Sequence, residues 1–296
     1  MVELVLVGGA GVLALGSWAG FVEPRRLRVA RYEIDSPGWP AGRLPLRFAV
    51  LGDLHAARPH VTEARLERLV ARILAERPDL VLLPGDFLAN RTAFVRPLPA
   101  ATIARALAPL AAAAPTLAVL GNHDHAEGGG REIARRLEAA GIAVLENEVV
   151  ELELAGGPLQ IAGLGCAVSR RADLPAVLAR LDPERPCLML SHVPDAVAYL
   201  PDHVLLTVSG HTHGGQVRLP GFGPLLTMSA LPRRFARGHH RIGRRHLLVT
   251  SGVGTSALPV RLGVPPEYVV ATVRSAVEEP PAASALRPAR APARAG

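Results

Sequence analysis

The chain has 296 residues, 49% apolar and 20% charged, with 33 basic against 26 acidic side chains and a formal charge of +7. That balance excludes a wholly disordered chain and gives one substantial domain enough apolar material for a sizeable core. Every basic residue is arginine, with no dense basic helix or aromatic and basic alternation, so no nucleic-acid partner is expected; the two cysteines, Cys166 and Cys187, exclude a disulfide framework and a thiolate metal site.

The first predicted element is the run Leu4 to Val22, nineteen residues without a charge. At about 1.5 Å per residue a helix of this length reaches about 28 Å, close to the hydrocarbon thickness of a bilayer. Residues 1–23 therefore read as a single transmembrane anchor, the membrane being one partner of the chain. Arg25, Arg26, Arg28 and Arg31 follow it in the juxtamembrane stretch 24–45, which places the next domain on the cytoplasmic face of the inner membrane. A cleaved signal peptide, giving a periplasmic or secreted protein, is the competing reading.

Residues 46–274 carry the predicted catalytic domain. Short apolar runs read as strands at Arg47 to Leu51, Leu80 to Leu83, Leu117 to Leu120, Leu159 to Leu164, Cys187 to Leu190, Val204 to Val208, His246 to Thr250 and Tyr268 to Val273. Helices are predicted at Thr62 to Glu76, Ala100 to Ala112, Arg131 to Ala140 and Ala172 to Leu181. The alternation predicts an α/β fold with buried sheets under helical layers, and the loss of helices late in the chain predicts an antiparallel component. Residues 275–296, rich in proline, alanine and arginine, read as a disordered tail.

Five polar clusters fall just after predicted strands: Asp53 and His55; Gly85 and Asp86; Gly121, Asn122, His123 and Asp124; His192; and Gly210, His211, Thr212 and His213. Loops at one edge of a sheet bring distant residues together around a ligand. Carboxylate oxygen, amide oxygen and imidazole nitrogen together suit divalent ions of intermediate hardness, manganese first and iron or zinc as alternatives.

These blocks resemble the calcineurin-like metallophosphoesterases, over about Leu46 to Val273. Gly214-Gly215-Gln216-Val217, Gly252-Val253-Gly254-Thr255-Ser256 and Pro265-Pro266-Glu267 resemble further blocks of the membrane-tethered bacterial branch, which includes broad phosphodiesterases and UDP-2,3-diacylglucosamine hydrolases of lipid A synthesis. The resemblance implies a four-layer α-β-β-α sandwich of two mixed sheets. It also implies two metal sites, one of Asp53, His55, Asp86 and His213, the other of Asp86, Asn122, His192 and His211, with Asp86 shared. In such enzymes the paired ions generate the attacking hydroxide. His123 is expected to protonate the departing oxygen, and Asp124 to orient a histidine or cap its loop.

The reaction expected is hydrolysis of a phosphodiester or pyrophosphate, with a lipid-linked phosphoester such as UDP-2,3-diacylglucosamine as substrate. The alternatives are a phosphomonoesterase or nuclease of the same superfamily, or a non-catalytic metal-stabilised membrane adaptor. His125 reads as an exposed loop residue, Arg233 to Arg245 as an arginine-rich hairpin, and Phe87 to Pro99 as a loop whose aromatics either cover a substrate or pack in the core.

Overall fold

The computed structural model describes residues 11–276, so the tail from 277 onward and the start of the predicted span lie outside the described residues. Two six-stranded mixed sheets make the frame. The first contains β1 (Arg28–Ser36), β2 (Leu46–Val50), β3 (Leu80–Leu83), β4 (Thr116–Ala118) and β5 (Ala143–Val144). The second contains β6 (Glu148–Leu154), β7 (Gly157–Leu164), β8 (Cys187–Ser191), β9 (Val204–Ser209), β10 (Gly238–Ile242) and β11 (Arg245–Val249). The last strand, β12 (Glu267–Ser275), returns to the first sheet, giving the order β1-β12-β2-β3-β4-β5; the second runs β10-β11-β9-β8-β7-β6. Parallel pairing holds β2 to β3 and β3 to β4 in the first sheet and β7, β8, β9 and β11 in the second. The antiparallel pairs are β12 with β2 in the first sheet and the hairpins β6–β7 and β10–β11 in the second, so that β10–β11 and β12 supply the antiparallel component predicted late in the chain.

The period-2 alternation of strands explains the layering. In β2 and β3, Phe48, Val50, Leu80 and Leu82 point into the core between the sheets, where Leu188, Leu190, Leu206, Val208 and Leu248 meet them. Ala49, Val81 and Leu83 point the other way, towards α1 (Glu63–Ala75), α2 (Ala100–Ala113) and, beyond the single turn α3 (Asn122–His125), α4 (Gly130–Ala139). Helix α1 presents Leu66, Leu69, Val70 and Ile73 at helical spacing, and the Thr62 side chain caps it by accepting from Arg65 N.

The outer layer on the second sheet is thinner than expected. Of the predicted helix Ala172 to Leu181 only α5 (Leu174–Leu178) forms, capped by Asp173 and followed by the Asp182-Pro183 break that disfavours helix continuation. Residues 28–36, assigned from sequence to the juxtamembrane stretch, instead form edge strand β1 in parallel register with β12. Its outward charges, including Arg31 bonded to Glu76, hide an inward stripe whose Ile34 is fully buried.

Among the described residues no helix is long and apolar enough to cross a membrane. Val12, Leu13, Leu15 and Phe21 of the predicted span are exposed, whereas Ala19, Glu23 and Pro24 are buried, and Arg261 N donates to Ala19 O at 2.9 Å. The carboxyl end of that run therefore packs on the domain rather than ending clear of it.

Candidate metal centre

The loops that follow β2, β3, β4, β8 and β9 meet at one edge of the two sheets. Asp53, His55 and Asp86 follow β2 and β3, Asn122 opens α3, and His192, His211 and His213 follow β8 and β9. Asp53, His55, Asp86, His211 and His213 all have positive φ, between 37° and 69°, a left-handed conformation that costs about 1–3 kcal/mol per non-glycine residue. The turns hold functional groups at the expense of backbone comfort. The glycines beside them permit close approach: a Cβ on Gly121 would collide with the Asp86 carboxylate, and one on Gly210 would lie 2.5 Å from Asp53 Oδ2.

The side chains form two groups that share one carboxylate. Oxygen and nitrogen atoms of Asp53, His55, Asp86 and His213 lie within 4.8 Å of one another, and so do those of Asp86, His192 and His211. Asp86 Oδ2 stands between the groups, 3.4 Å from His55 Nε2 and 3.3 Å from His192 Nε2. His55 Nε2 and His213 Nε2 are 3.0 Å apart, His211 Nδ1 and His192 Nε2 are 3.2 Å apart, and Asn122 Oδ1 lies 3.2 Å from His192 Nε2. Imidazole lone pairs and carboxylate oxygens crowded this way satisfy one another poorly and satisfy a divalent cation well. The donor set therefore fits metal ions.

The outer nitrogens fix two rings. His192 Nδ1–H donates to Pro84 O at 2.7 Å and His211 Nε2–H to Met228 O at 2.9 Å, which leaves His192 Nε2 and His211 Nδ1 facing inward. Burial opposes charge throughout, but pairing reverses the outcome at Asp86 and His192. Burial pushes the Asp86 carboxyl up, yet His192 and His55 hold it well below the usual range. Burial likewise opposes a charged His192, yet Asp86 and Asp53 raise its pKa to about 10. Asp53 is pushed up to about 6 by burial, with Asp86 adding, and His211 down to about 4 by burial, with His192 adding.

Asp124 is fully buried, and its carboxylate accepts N–H groups from Asp86, Leu88 and Gly121 at 2.8, 2.8 and 2.9 Å, with no hydrogen bond to a histidine ring among the described residues. Of the two roles expected for Asp124, orienting a histidine or capping its loop, these hydrogen bonds are those of a loop cap that positions Asp86, and not of a group acting on substrate; burial, aided by Asp86, raises its pKa to about 7. His123 donates its backbone N–H to Asp86 Oδ1 at 2.8 Å and sets its Nε2 3.3 Å from Ser256 Oγ. Burial lowers its pKa, against the pull of Asp86.

A family model described as calcineurin-like phosphoesterase matches residues 46–215. The chain belongs to that family. It is 30% identical to the uncharacterized metallophosphoesterase YkuE of Bacillus subtilis, over 90% of this chain and 93% of the relative. It is 33% identical to phosphodiesterase YaeI of Escherichia coli, over 88% of this chain and 94% of that one. A transmembrane protein with metallophosphoesterase domain from Danio rerio is 27% identical over 85% of this chain and 58% of its own length. This calcineurin-like phosphoesterase is thus a hydrolase of phosphate esters.

Its site has parts that no metal motif announces. Gln216 Nε2 donates to Ser256 O and Leu258 O at 2.9 and 3.1 Å, and its Oε1 accepts from Ser256 N at 2.8 Å, binding the two loops that wall the site. Fully buried Arg261 donates to the carbonyls of Ser251, Gly252, Gly254 and Val264, holding the loop behind Asp53 and His55. A cavity of about 490 Å³ runs from Asp86, Asn122, His123 and His211 along an apolar wall of Val217, Leu225, Leu226, Met228, Leu258 and Val260. Leu226 and Leu258 are 65% and 61% exposed, so this wall is open to an incoming apolar group.

The loop Phe87 to Pro99 does not line that cavity. Phe87 and Val95 are buried in the domain, and Phe94 is exposed. The arginine-rich segment forms a short 3-10 turn and then β10 and β11, with the bend at Gly243; it too lies outside the cavity wall. His125 lines a separate groove with Arg171 and Glu146.

Proposed function

We propose that this enzyme is a dinuclear metal-dependent phosphodiesterase acting on a phosphodiester or pyrophosphate that carries an apolar group. The observation that carries the reading is the position of Asp86 Oδ2, between two histidine-rich groups and at the head of an apolar-walled cavity. One cation would be held by Asp53, His55, Asp86 and His213, the other by Asp86, Asn122, His192 and His211. Bound there, two divalent cations, manganese first and iron or zinc as alternatives, supply Lewis acidity and make hydroxide available near neutral pH.

The remaining steps fall to this chain's own groups. His123 stands at the cavity rather than within the cage, with Nε2 towards Ser256 Oγ, and holds the proton destined for the departing oxygen. A phosphoryl anion beside it acts in the same direction as Asp86 and favours the protonated ring. Val217, Leu226 and Leu258 bind the apolar portion of the substrate and exclude water from that side. The name of the E. coli relative, a phosphodiesterase, supports the choice of a diester.

A membrane-tethered enzyme facing the cytoplasm belongs to the same proposal. It is supported by the uncharged run Leu4 to Val22, the arginines after it and the exposed Val12, Leu13 and Leu15. A reporter fused to the carboxyl terminus tests the orientation.

The test of the activity is metal analysis of the purified protein combined with a panel of a phosphomonoester, a short and a long alkyl phosphodiester and UDP-2,3-diacylglucosamine. The expected result is metal-dependent diester or pyrophosphate hydrolysis with kcat/KM rising with chain length. Turnover confined to monoesters, or no effect of chain length, overturns the reading.

A further inference from the structure

A second cavity, about 420 Å³, opens where residues 25–27 meet α1 along its length from Thr62 to Arg72. Its wall carries Arg25, Arg26, Arg65, Arg68 and Arg72 together with His60, and no acidic side chain lines it. Arg65, Arg68 and Arg72 recur at helical spacing, so one face of α1 turns three guanidinium groups to the same space. Some exposed arginines elsewhere pair with carboxylates, Arg31 with Glu76, Arg105 with Glu63, Arg135 and Arg136 with Glu132, and others such as Arg58 and Arg77 have no such partner among the described residues; here five arginines line one space. None of the five cavity arginines has a carboxylate within ion-pair distance among the described residues.

Arg65 is the deepest of the group. Its Nη1 donates to His60 O at 3.0 Å, while Nη2 is buried with no partner among the described residues. Burial lowers its pKa to about 10, and Arg25 and Arg68 add to the shift. Such like charges gathered without a counter-charge repel one another, which an anion with several acceptor oxygens relieves through forked guanidinium contacts.

We propose that this cavity is a binding site for a phosphate-group anion, distinct from the metal centre and apart from the hydrolytic reading. The neighbouring glutamates do not supply the charge: Glu23 is buried and accepts from Trp18 Nε1 at 2.9 Å, Glu63 pairs with Arg105, and Glu67 forms no ion pair with these arginines among the described residues. Beside the arginines, Trp18, Phe21 and Val22 leave apolar surface exposed, at 40%, 63% and 41%, and the Arg26 guanidinium lies 5.3 Å from the Trp18 ring centroid. Guanidinium groups next to exposed apolar side chains suit the phosphate of a lipid headgroup; inorganic phosphate shares the chemistry without the apolar part.

The experiment uses the full chain in two arms. In the first, the protein is floated with vesicles of phosphatidylcholine alone or mixed with phosphatidylglycerol. In the second, it is titrated calorimetrically with inorganic phosphate in a neutral detergent. The comparisons are Arg68→Gln/Arg72→Gln, both exposed positions on α1, and the charge-matched control Arg241→Gln/Arg244→Gln on the distant hairpin. Hydrolysis of a soluble phosphodiester reports that each variant is folded.

A lipid headgroup as ligand predicts that the preference for phosphatidylglycerol falls roughly tenfold or more in Arg68→Gln/Arg72→Gln and is kept in the control. Free phosphate as ligand predicts the same contrast in the calorimetric arm alone. The proposal is overturned if the α1 variant matches wild type in both arms, or if the hairpin control loses as much as the α1 variant, which would mark unspecific charge attraction.

Discussion

Asp124 Oδ2 accepts the backbone N–H of Asp86 at 2.8 Å and that of Gly121 at 2.9 Å, tying two loops of the metal centre to one buried carboxyl. Removing it strands two buried N–H donors, each worth about 1–3 kcal/mol when left unsatisfied, and the part-buried N–H of Leu88. Asp124→Ala should therefore lose on the order of 3 kcal/mol or more in urea unfolding and bind metal more weakly, whereas Asp124→Asn, which keeps an acceptor oxygen, should lose less. Equal stability of Asp124→Ala and wild type would remove this positioning role.

Gln216 grips the loop of Ser256 and Leu258 through both ends of its amide. Gln216→Ala should free that wall of the cavity, raising KM for an alkyl phosphodiester by about tenfold, equivalent to one or two net hydrogen bonds, with metal content unchanged. Steady-state kinetics alongside metal analysis decide it, and loss of metal with an unchanged KM would place Gln216 in the cage's support instead.

The metal centre was legible in the sequence because its residues are rare types placed directly after apolar runs, and Asp53, His55, Asp86, Asn122, His192, His211 and His213 do converge. Strand β1 was not, since an edge strand with charges on one face and Ile34, Tyr32 and Ala30 on the other resembles a basic juxtamembrane stretch until β12 is there to pair with it. Arg261 was equally hidden: its role is four backbone carbonyls, which leave no pattern in the chain. Residues 87–99, whose aromatics read either as substrate cover or as core, do not form the apolar cavity wall, and Phe87 packs in the core. That wall is built instead by residues 217–228 and 256–260, which only tertiary contact brings to His123.

Away from the metal centre, His246 gives a pH dependence with a definite sign. It is 2% exposed, pairs through Nδ1 with His239 Nε2 at 2.8 Å, and has its pKa lowered from 6.5 to about 4 by burial, with His239 adding. A depressed folded-state pKa means that the unfolded chain takes the proton first. The stability His246 contributes is full above pH 6.5 and is lost as pH falls towards about 4. Urea unfolding of wild type and His246→Gln across that window should show the wild type losing stability faster on acidification; parallel curves would contradict the assignment.

His123 is expected to act on the reaction without holding the cage together. His123→Ala should keep its metal while turnover falls by roughly 10²–10⁴-fold, the usual contribution of general acid catalysis. The fall should be smallest for substrates with good leaving groups, which need no proton; a uniform loss across leaving groups would argue for a purely structural His123.

The shared carboxylate of Asp86 is the centre of the account, and metal stoichiometry of purified wild type and Asp86→Ala, measured by elemental analysis after loading with manganese, tests it most directly. Two ions per chain in the wild type, and loss of both metal and phosphodiesterase activity in the variant, is the predicted result. A folded Asp86→Ala protein that still carries two ions per chain would contradict it.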